Sequence, residues 1–281
     1  MRTITFKGLV LTVLFVLLGS LSIQAVDDGL ITKQITIKPD EAGTLPDRIS
    51  VRKKYLITNL KIVGEINGTD LKFIREMAGC DYNMNKTDGK LSILDLSDAK
   101  IVEGGSAYFS YYFENYTSND KLGAYAFYGC SGLTSLTIPS NVTSIEWYAF
   151  EDCSGLTSLT IPSSVTSIGE RAFEGCSGLT SIYVYPEKLP KLGEFIFNGC
   201  DAKNCTVYVP TGTHDDYWCS EFGYFEKIVE FDPTGIDKVT TSTDAKEVSR
   251  YSVNGQRLSA PSKGLNIVKY SDGRVKKIAV Q

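Results

Sequence analysis

The segment DYNMNKTDGKLSILD, residues 81–95, has acidic and amide side chains at spacings that resemble a calcium-binding loop. If Gly89 takes the turn position, the first two ligand positions fall on Met84 and Lys86, which cannot bind the ion. Starting from Asp81 also fails, because Lys86 then takes the turn position. We therefore expect a polar loop followed by the strand LSILDLS, and no calcium site.

Four possible zinc ligands lie within twenty residues of one another: Cys200, Cys205, His214 and Cys219. Their spacing lacks the close ligand pair of structural zinc sites, so we expect no metal. The chain has a single histidine, no G-x-S-x-G elbow and no phosphate-binding loop. Nucleophilic triads and nucleotide sites therefore lack their parts, and we expect no cofactor and no enzymatic activity.

The cysteines belong to a wider repetition. Alignment on Cys130, Cys153, Cys176 and Cys200 gives spacings of 23, 23 and 24, and Phe127, Phe150, Phe173 and Phe197 keep the same spacings. A period in this range is typical of stacked units that bury their apolar faces against one another. The repetition predicts a solenoid.

Each copy predicts two short strands. In LTSLTIP, residues 156–162, the leucines and the isoleucine face inward while Ser158 and Thr160 alternate outward. The proline cannot continue a ladder of hydrogen bonds, so it ends the strand. VTSI, residues 165–168, is the second predicted strand, and the Ala-Phe pair that follows fills the coil.

The repeated cysteines are expected to be buried thiols. Cysteines on successive coils would lie about 4.8 Å apart with parallel Cα–Cβ bonds, whereas a disulfide needs convergent Cβ atoms. This argument covers Cys130, Cys153 and Cys176. It constrains Cys80, Cys200, Cys205 and Cys219 less, and a bridge among the last three remains open.

The N-terminal residues predict export. Arg2 and Lys7 precede the apolar run GLVLTVLFVLLGSL, and small Ala25 stands at the expected cleavage point, which is the pattern of a signal peptide over residues 1–25. The run is too short for a comfortable membrane span. The chain carries 29 basic and 33 acidic residues. Without a basic patch, nucleic acid and anionic membranes are not expected partners.

The repeated motif AF-x-x-C-S-G-L-T-S-L-T-I-P-S-S-V-T-S-I-G resembles the BspA-type leucine-rich repeats of bacterial surface proteins. The resemblance extends from Ile31 to about Phe231. It implies a β-rich α/β solenoid, a leucine-rich repeat with a 23-residue period, right-handed and capped at both ends. It also implies binding or adhesion at the cell surface without catalytic residues.

The resemblance divides residues 26–231 into two parts. Residues 26–105 are similar to an N-terminal cap with irregular repeats, and TDLKFIREMAG within them predicts a helix that starts at Thr69 or Asp70 and ends at Gly79. Residues 106–231 hold the regular repeats and a closing segment, VYVPTGTHDDYWCSEFGYFEKIVEF, with a last strand, a short amphipathic stretch and a final strand.

The C-terminal part differs in character. After a polar linker, residues 232–248, residues 249–281 are similar to the C-terminal sorting domain of type IX secretion substrates in Gram-negative bacteria. The matching residues are Tyr251, Val253, Gly255, Arg257, Gly264, Ile267, Val268, Gly273, Lys276, Lys277 and Ile278. A small β module is expected, with turns at NG 254–255 and DG 272–273. Secretion machinery is then a partner of this module, and the alternative is a simple capping module.

Aromatic residues predict one binding surface. SAYFSYYFENY supplies Tyr108, Tyr111, Tyr112 and Tyr116, together with two phenylalanines, between the irregular and regular coils. Such rings suit protein hot spots and sugar stacking, although packing on the solenoid is the alternative. Trp147 and Tyr148 stand where the next copy carries Glu170 and Arg171, and this departure favours a role in specificity.

The outward strand residues predict a second surface, a flat polar face that includes Thr137, Thr160 and Tyr183. A plain solvated face is the alternative. The sequence thus predicts a secreted or surface-displayed binding module of a Gram-negative bacterium, with an extracellular protein or glycan as its partner. Two other functions stay open, a secreted glycan-active enzyme and a ligand-free structural spacer. A spacer predicts that Tyr111, Tyr112 and Trp147 are buried.

Overall fold

Short parallel strands form most of the fold. The computed structural model describes residues 29–111, 113–233, 247–252, 257–258, 260–261, 263–270 and 275–280. Its strands in chain order are β1 (Ile35–Ile37), β2 (Asn59–Ile66), β3 (Ile93–Ile101), β4 (Gly104–Ser110), β5 (Glu114–Thr117), β6 (Lys121–Leu122), β7 (Ser135–Thr137), β8 (Ser144–Ile145), β9 (Ser158–Ile161), β10 (Ser167–Ile168), β11 (Ser181–Val184), β12 (Lys191–Leu192), β13 (Thr206–Pro210), β14 (Lys227–Phe231), β15 (Glu247–Ser252), β16 (Arg257–Leu258), β17 (Gly264–Tyr270) and β18 (Val275–Val280).

The largest sheet is parallel throughout, in the order β1-β2-β3-β7-β9-β11-β13-β14. Ser158 pairs with Ser135 on one side and with Ser181 on the other, so equivalent residues of successive copies stand in register. Leu159 and Ile161 are buried, as predicted, because the strand alternates between core and solvent. Stacked coils with parallel sheets fit a solenoid.

A second parallel sheet, in the order β12-β10-β8-β6, lies on the other side of each coil. The predicted second strand is shorter than expected, since β10 contains only Ser167 and Ile168. Val165 lies instead in a turn, where its N–H donates to the carbonyl oxygen of Pro162 at 3.1 Å.

The repeated phenylalanines form a continuous column inside the coils. Their ring centroids are 5.5, 5.1 and 5.8 Å apart along the column, and adjacent ring planes differ by 9–13°. The members are Phe127, Phe150, Phe173 and Phe197, all fully buried. Each ring packs on the ring of the next coil, so the stacked arrangement is what buries it.

Three helices lie near the N-terminal end of the solenoid: α1 (Leu45–Arg48), α2 (Val51–Lys54) and, between β2 and β3, α3 (Gly68–Met77). The predicted start of α3 at Thr69 or Asp70 was wrong, because Asn67 is the N-cap. The Asn67 side chain accepts from the N–H of Thr69, and the Asp70 carboxylate accepts from the N–H of Asn67, which completes a capping box.

The closing segment has the predicted order of elements. After β13 come α4 (His214–Trp218), a 3₁₀ helix (Glu221–Tyr224) and the final strand β14. Phe222 and Phe225 are buried and contact the ring of Phe197, with centroids 5.0 and 4.9 Å away. They cover the end of the phenylalanine column.

The C-terminal strands form a separate antiparallel sheet in the order β16-β15-β17-β18. The predicted NG and DG turns lie outside the described residues, as do the predicted signal peptide and residues 234–246 of the predicted linker. Among the residues that are described, no helix is long and apolar enough to cross a membrane.

Candidate recognition surface

The aromatic segment folds as an antiparallel hairpin of β4 and β5, in which Phe109 pairs with Asn115 and Ser110 with Glu114. At its tip Tyr111 is 53% exposed and Phe113 is 52% exposed. Tyr112 lies outside the described residues. Tyr116 is also exposed, and its hydroxyl donates to the Glu114 carboxylate. The hairpin thus carries exposed rings, an arrangement that ring density in the sequence did not reveal.

The prediction that Tyr108 contacts a partner was wrong. Its side chain is only 1% exposed, and its hydroxyl donates to the carbonyl oxygen of Ala124 at 2.7 Å. Burial raises the pKa of the Tyr108 hydroxyl, so it remains a neutral donor. Side chains alternate between the two faces of β4, and the Tyr108 ring lies on the face that packs against the core.

The first regular coil needs such donors. Between later coils, backbone N–H groups donate to carbonyl groups of the next coil, for example from Phe127 to Ala149 at 2.7 Å and from Gly129 to Glu151 at 2.9 Å. Equivalent carbonyl groups of the first coil accept from side chains. A buried carbonyl without a donor costs about 1–3 kcal/mol, so these side chains stabilise the open end.

Arg75 of α3 provides most of these donors. Its guanidinium group is fully buried and donates to the carbonyl oxygens of Tyr125, Ala126 and Tyr128 at 2.9, 3.1 and 3.1 Å. Its Cζ atom lies 4.8 Å from the ring centroid of Phe109. Arg75 and Tyr108 together attach the N-terminal cap and the hairpin to the first regular coil.

The rings of the hairpin continue into those of the coils. Phe113 lies 5.7 Å from Trp147, which lies 4.9 Å from Tyr125 and 5.4 Å from Tyr148, measured between ring centroids. Trp147 and Tyr148 are half-buried. We call the surface formed by Tyr111, Phe113, Trp147 and Tyr148 the aromatic edge.

A left-handed backbone position orients the side chains along this edge. The residue before each Ala-Phe or Ile-Phe pair has a positive φ, at 57° for Tyr125, 56° for Tyr148, 54° for Arg171 and 59° for Phe195. Their flat side chains stack along the solenoid: Tyr125 and Tyr148 lie 5.1 Å apart with planes 4° apart, and the Arg171 guanidinium contacts both Tyr148 and Phe195. This column was missed because a positive φ at non-glycine residues leaves no composition signal.

The predicted polar face lies on the large sheet. Thr137, Thr160 and Tyr183 share one row of the register and are half-buried. The row continues to Tyr208, whose ring stacks on that of Tyr183 with centroids 4.6 Å apart. Phe231 also contacts the Tyr183 ring. The face is therefore polar in the middle and aromatic toward β14, which the sequence did not predict.

The two segments considered for metals use their side chains within the protein. The Asp81 carboxylate accepts from the N–H groups of Asn83 and Asn85, both at 2.8 Å. The His214 ring contacts Asp215, and Cys219 is exposed. Among the described residues, no group of three or more His, Cys, Asp or Glu side chains could hold a metal ion.

All seven cysteines are free, so the bridge left open among the last three is not formed. Three of the four repeated thiols instead donate to a phenylalanine carbonyl of the preceding coil: Cys153 to Phe127 at 3.1 Å, Cys176 to Phe150 at 3.2 Å and Cys200 to Phe173 at 3.3 Å. The cysteine is thus a small apolar residue with one weak donor. The sequence predicted the burial but not this donor role.

One thiol is expected to react quickly in the native protein and six slowly. Burial raises the pKa of Cys130, Cys200 and Cys205 to about 12, and that of Cys153 and Cys176 well above the ordinary value. Only Cys219 is exposed. Alkylation with iodoacetamide followed by mass spectrometry should show a single fast adduct at Cys219, and six more after unfolding. Fast labelling of any repeated cysteine would contradict the buried thiol row.

Carboxylates on successive coils predict a pH effect on stability. Burial, assisted by Glu174 and Asp152 and opposed by Arg171, raises the pKa of Glu151 to about 7. The folded protein therefore holds this proton more tightly than the unfolded chain, whose glutamates titrate near 4.3. The resulting stabilisation is complete below that lower pKa and is lost as the pH rises through about 7.

We expect Glu151→Gln to remove this loss. The variant should exceed the natural protein in unfolding free energy by about 1 kcal/mol at pH 8, a small value because the carboxylate is half-exposed. At pH 4 the difference should shrink. Urea unfolding of both proteins across this range checks the prediction, and a difference that does not change with pH would contradict it.

Comparison with protein families agrees with this geometry. Residues 107–215 match the BspA type leucine rich repeat region in six copies. The match begins inside the hairpin and ends in α4, so it includes the aromatic edge. No curated protein matches the chain. Repeats of this type are generally binding or structural modules, typically of surface or secreted proteins. Residues 107–215 of this chain are therefore a BspA-type leucine-rich repeat region.

Proposed function

We propose that this protein is an exported, non-catalytic recognition module that binds an extracellular protein or glycan through the aromatic edge. The observation that carries the proposal is the exposure of Tyr111 and Phe113 at the tip of a hairpin that is anchored in the core. Exposed apolar rings are costly to solvate, and rings held in place lose little conformational entropy when a partner covers them.

The packing of side chains beneath the aromatic edge favours a role of this surface in recognition. Phe109 is fully buried and stacks on Tyr125 with centroids 4.8 Å apart, and the Arg75 guanidinium group also contacts its ring. The rings at the tip therefore rest on fixed elements rather than on a loose loop. A preorganised aromatic surface of this kind resembles the central hot spots of protein interfaces.

The spacer alternative receives less support. It requires buried rings at Tyr111, Tyr112 and Trp147, but Tyr111 is more than half exposed and Trp147 is only half-buried. Tyr112 lies outside the described residues. Two exposed rings so close in the chain, Tyr111 and Phe113, favour a surface that a partner covers.

The glycan-active enzyme also receives less support from the groove that two neighbouring aspartates line. Asp98 and Asp120 line one shallow groove together. The Asp98 carboxylate pairs with the Lys61 ammonium at 2.7 Å, and the Asp120 carboxylate accepts from Asn141. Both carboxylates are thus occupied by structural partners, whereas glycoside hydrolysis needs a free acid and a free base or nucleophile.

Export through the tail is part of the proposal. Residues 249–281 would serve as a type IX sorting module of a Gram-negative bacterium, with secretion machinery as their partner. The four-stranded antiparallel sheet of β15 to β18 supports a folded module, as the sequence pattern suggested.

The test is binding of the purified protein to arrays of extracellular-matrix proteins and of host and bacterial glycans. Tyr111→Ala combined with Phe113→Ala removes exposed apolar area without touching the core, so the free energy of unfolding should change by less than about 0.5 kcal/mol. We expect this variant to lose at least about tenfold in affinity for a bound partner. The matched control is Trp218→Ala, which removes an exposed ring in α4, outside the aromatic edge.

Three outcomes distinguish the candidates. Loss of binding in the hairpin variant alone supports the aromatic edge. Binding that survives there, but is lost in Thr137→Lys with Thr160→Lys, moves the site to the polar face of the large sheet. Absence of any ligand across the arrays contradicts the recognition proposal and leaves the spacer.

A further inference from the structure

The large sheet has two open edges. β1 and β14 are its outermost strands, and among the described residues no strand pairs with the outer edge of either. Val229 on β14 is 45% exposed, although every equivalent residue on the interior strands is covered by a neighbour. An uncovered parallel edge presents backbone donors and acceptors that can pair with another strand.

The apolar row inside the sheet is also incomplete at both ends. Its interior members are fully buried, and they follow the register in the order Leu60, Leu94, Leu136, Leu159, Ile182 and Val207. The end members, Ile35 on β1 and Ile228 on β14, are only half-buried. If β1 of a second copy followed β14 in the same register, each isoleucine would gain the neighbour it lacks.

The charges beside the two edges are opposite in sign. Exposed Lys33 and Lys38 flank β1, whereas exposed Glu226 precedes β14 and exposed Glu230 lies within it, with Lys227 between the two glutamates. Glu230 already accepts from the N–H groups at the start of α4. Lys33 and Glu226 form no ion pair within the described part of the chain.

The register brings the two free charges together. Thr36 and Val229 occupy the same row of the sheet, and Lys33 and Glu226 each precede their member of that row by three residues. A second copy that continues the sheet would therefore place its Lys33 beside Glu226 of the first.

We propose that copies of this chain associate end to end, with β1 of one copy pairing in parallel with β14 of the next. Pairing of like edges is disfavoured, because it would bring together two edges whose flanking charges have the same predominant sign. The contact joins two different surfaces, so it leaves one open edge at each end and generates a linear assembly instead of a closed dimer.

Charge reversal tests this arrangement. Sedimentation of the purified protein at rising concentration and low salt should show an average mass that increases without reaching a dimer plateau, and high salt should reduce it. Lys33→Glu alone and Glu226→Lys alone should each weaken association by about tenfold, because each places like charges in contact. The double variant should recover association close to that of the natural protein.

A mixture of the two single variants adds a second readout. Each contact between unlike variants has opposite charges, so the mixture should associate more strongly than either variant alone. The control is Asp88→Lys, which makes the same charge change on an exposed loop residue and should leave association unchanged. A protein that stays monomeric at every concentration, or single variants that associate like the natural protein, would overturn the proposal. Failure of the double variant to recover would also overturn it.

Discussion

Phe150→Ala should lower the free energy of unfolding by about 3–5 kcal/mol, the usual loss for a buried phenylalanine. The ring has a stacked neighbour on both sides, with centroids 5.5 Å from Phe127 and 5.1 Å from Phe173. Its removal therefore opens a cavity between three coils, and the coils cannot close it without breaking their backbone hydrogen bonds. Urea unfolding, followed by far-ultraviolet circular dichroism and by fluorescence of Trp147 in the same coil, would measure the loss.

Phe150→Leu is the control for this prediction. It retains most of the buried volume but not the stacked ring, so we expect a loss of about 1–1.5 kcal/mol. A loss below about 1 kcal/mol for Phe150→Ala would show that the coils collapse around the missing ring, and that the column does not hold them in place.

Arg75→Ala is expected to destabilise the protein by about 3–5 kcal/mol. The guanidinium group supplies the donors for the carbonyl oxygens of Tyr125, Ala126 and Tyr128, and its loss leaves these acceptors buried and unpaired. The N-terminal cap should then separate first. Hydrogen exchange should rise in α3 and in the hairpin before it rises in the central coils.

Arg75→Met separates the donors from the packing. Methionine fills much of the same space but cannot donate a hydrogen bond, so a large loss in this variant assigns the effect to the donors. If Arg75→Met were as stable as the natural protein, the carbonyl groups would not need the guanidinium group. Tyr108→Phe removes the donor to Ala124 alone and should cost about 1–3 kcal/mol.

The regular coils were predictable because their constraints recur. Phe127, Phe150, Phe173 and Phe197 return at nearly equal spacing, so one physical interpretation of a single copy applied to all of them. The inward leucines and the buried cysteines followed from the same repetition. Where the repetition ends, at the cap and in the hairpin, residue composition alone predicted little of the geometry.

The candidate site was predictable only in part. Ring density indicated an aromatic surface, but alternation within an unrecognised hairpin decided that Tyr108 is buried and Tyr111 exposed. Arg75 looked like an ordinary charged residue of an amphipathic helix. Its role depends on carbonyl groups about fifty residues away, and no local pattern encodes a contact at that separation.

The thiol donors have a consequence for how the chain reaches its fold. Cys153, Cys176 and Cys200 stabilise contacts between coils as reduced thiols, through hydrogen bonds to Phe127, Phe150 and Phe173. The solenoid therefore requires no oxidant and no disulfide isomerase, but the thiols must stay reduced until burial protects them, because an oxidised cysteine cannot donate to these carbonyl groups.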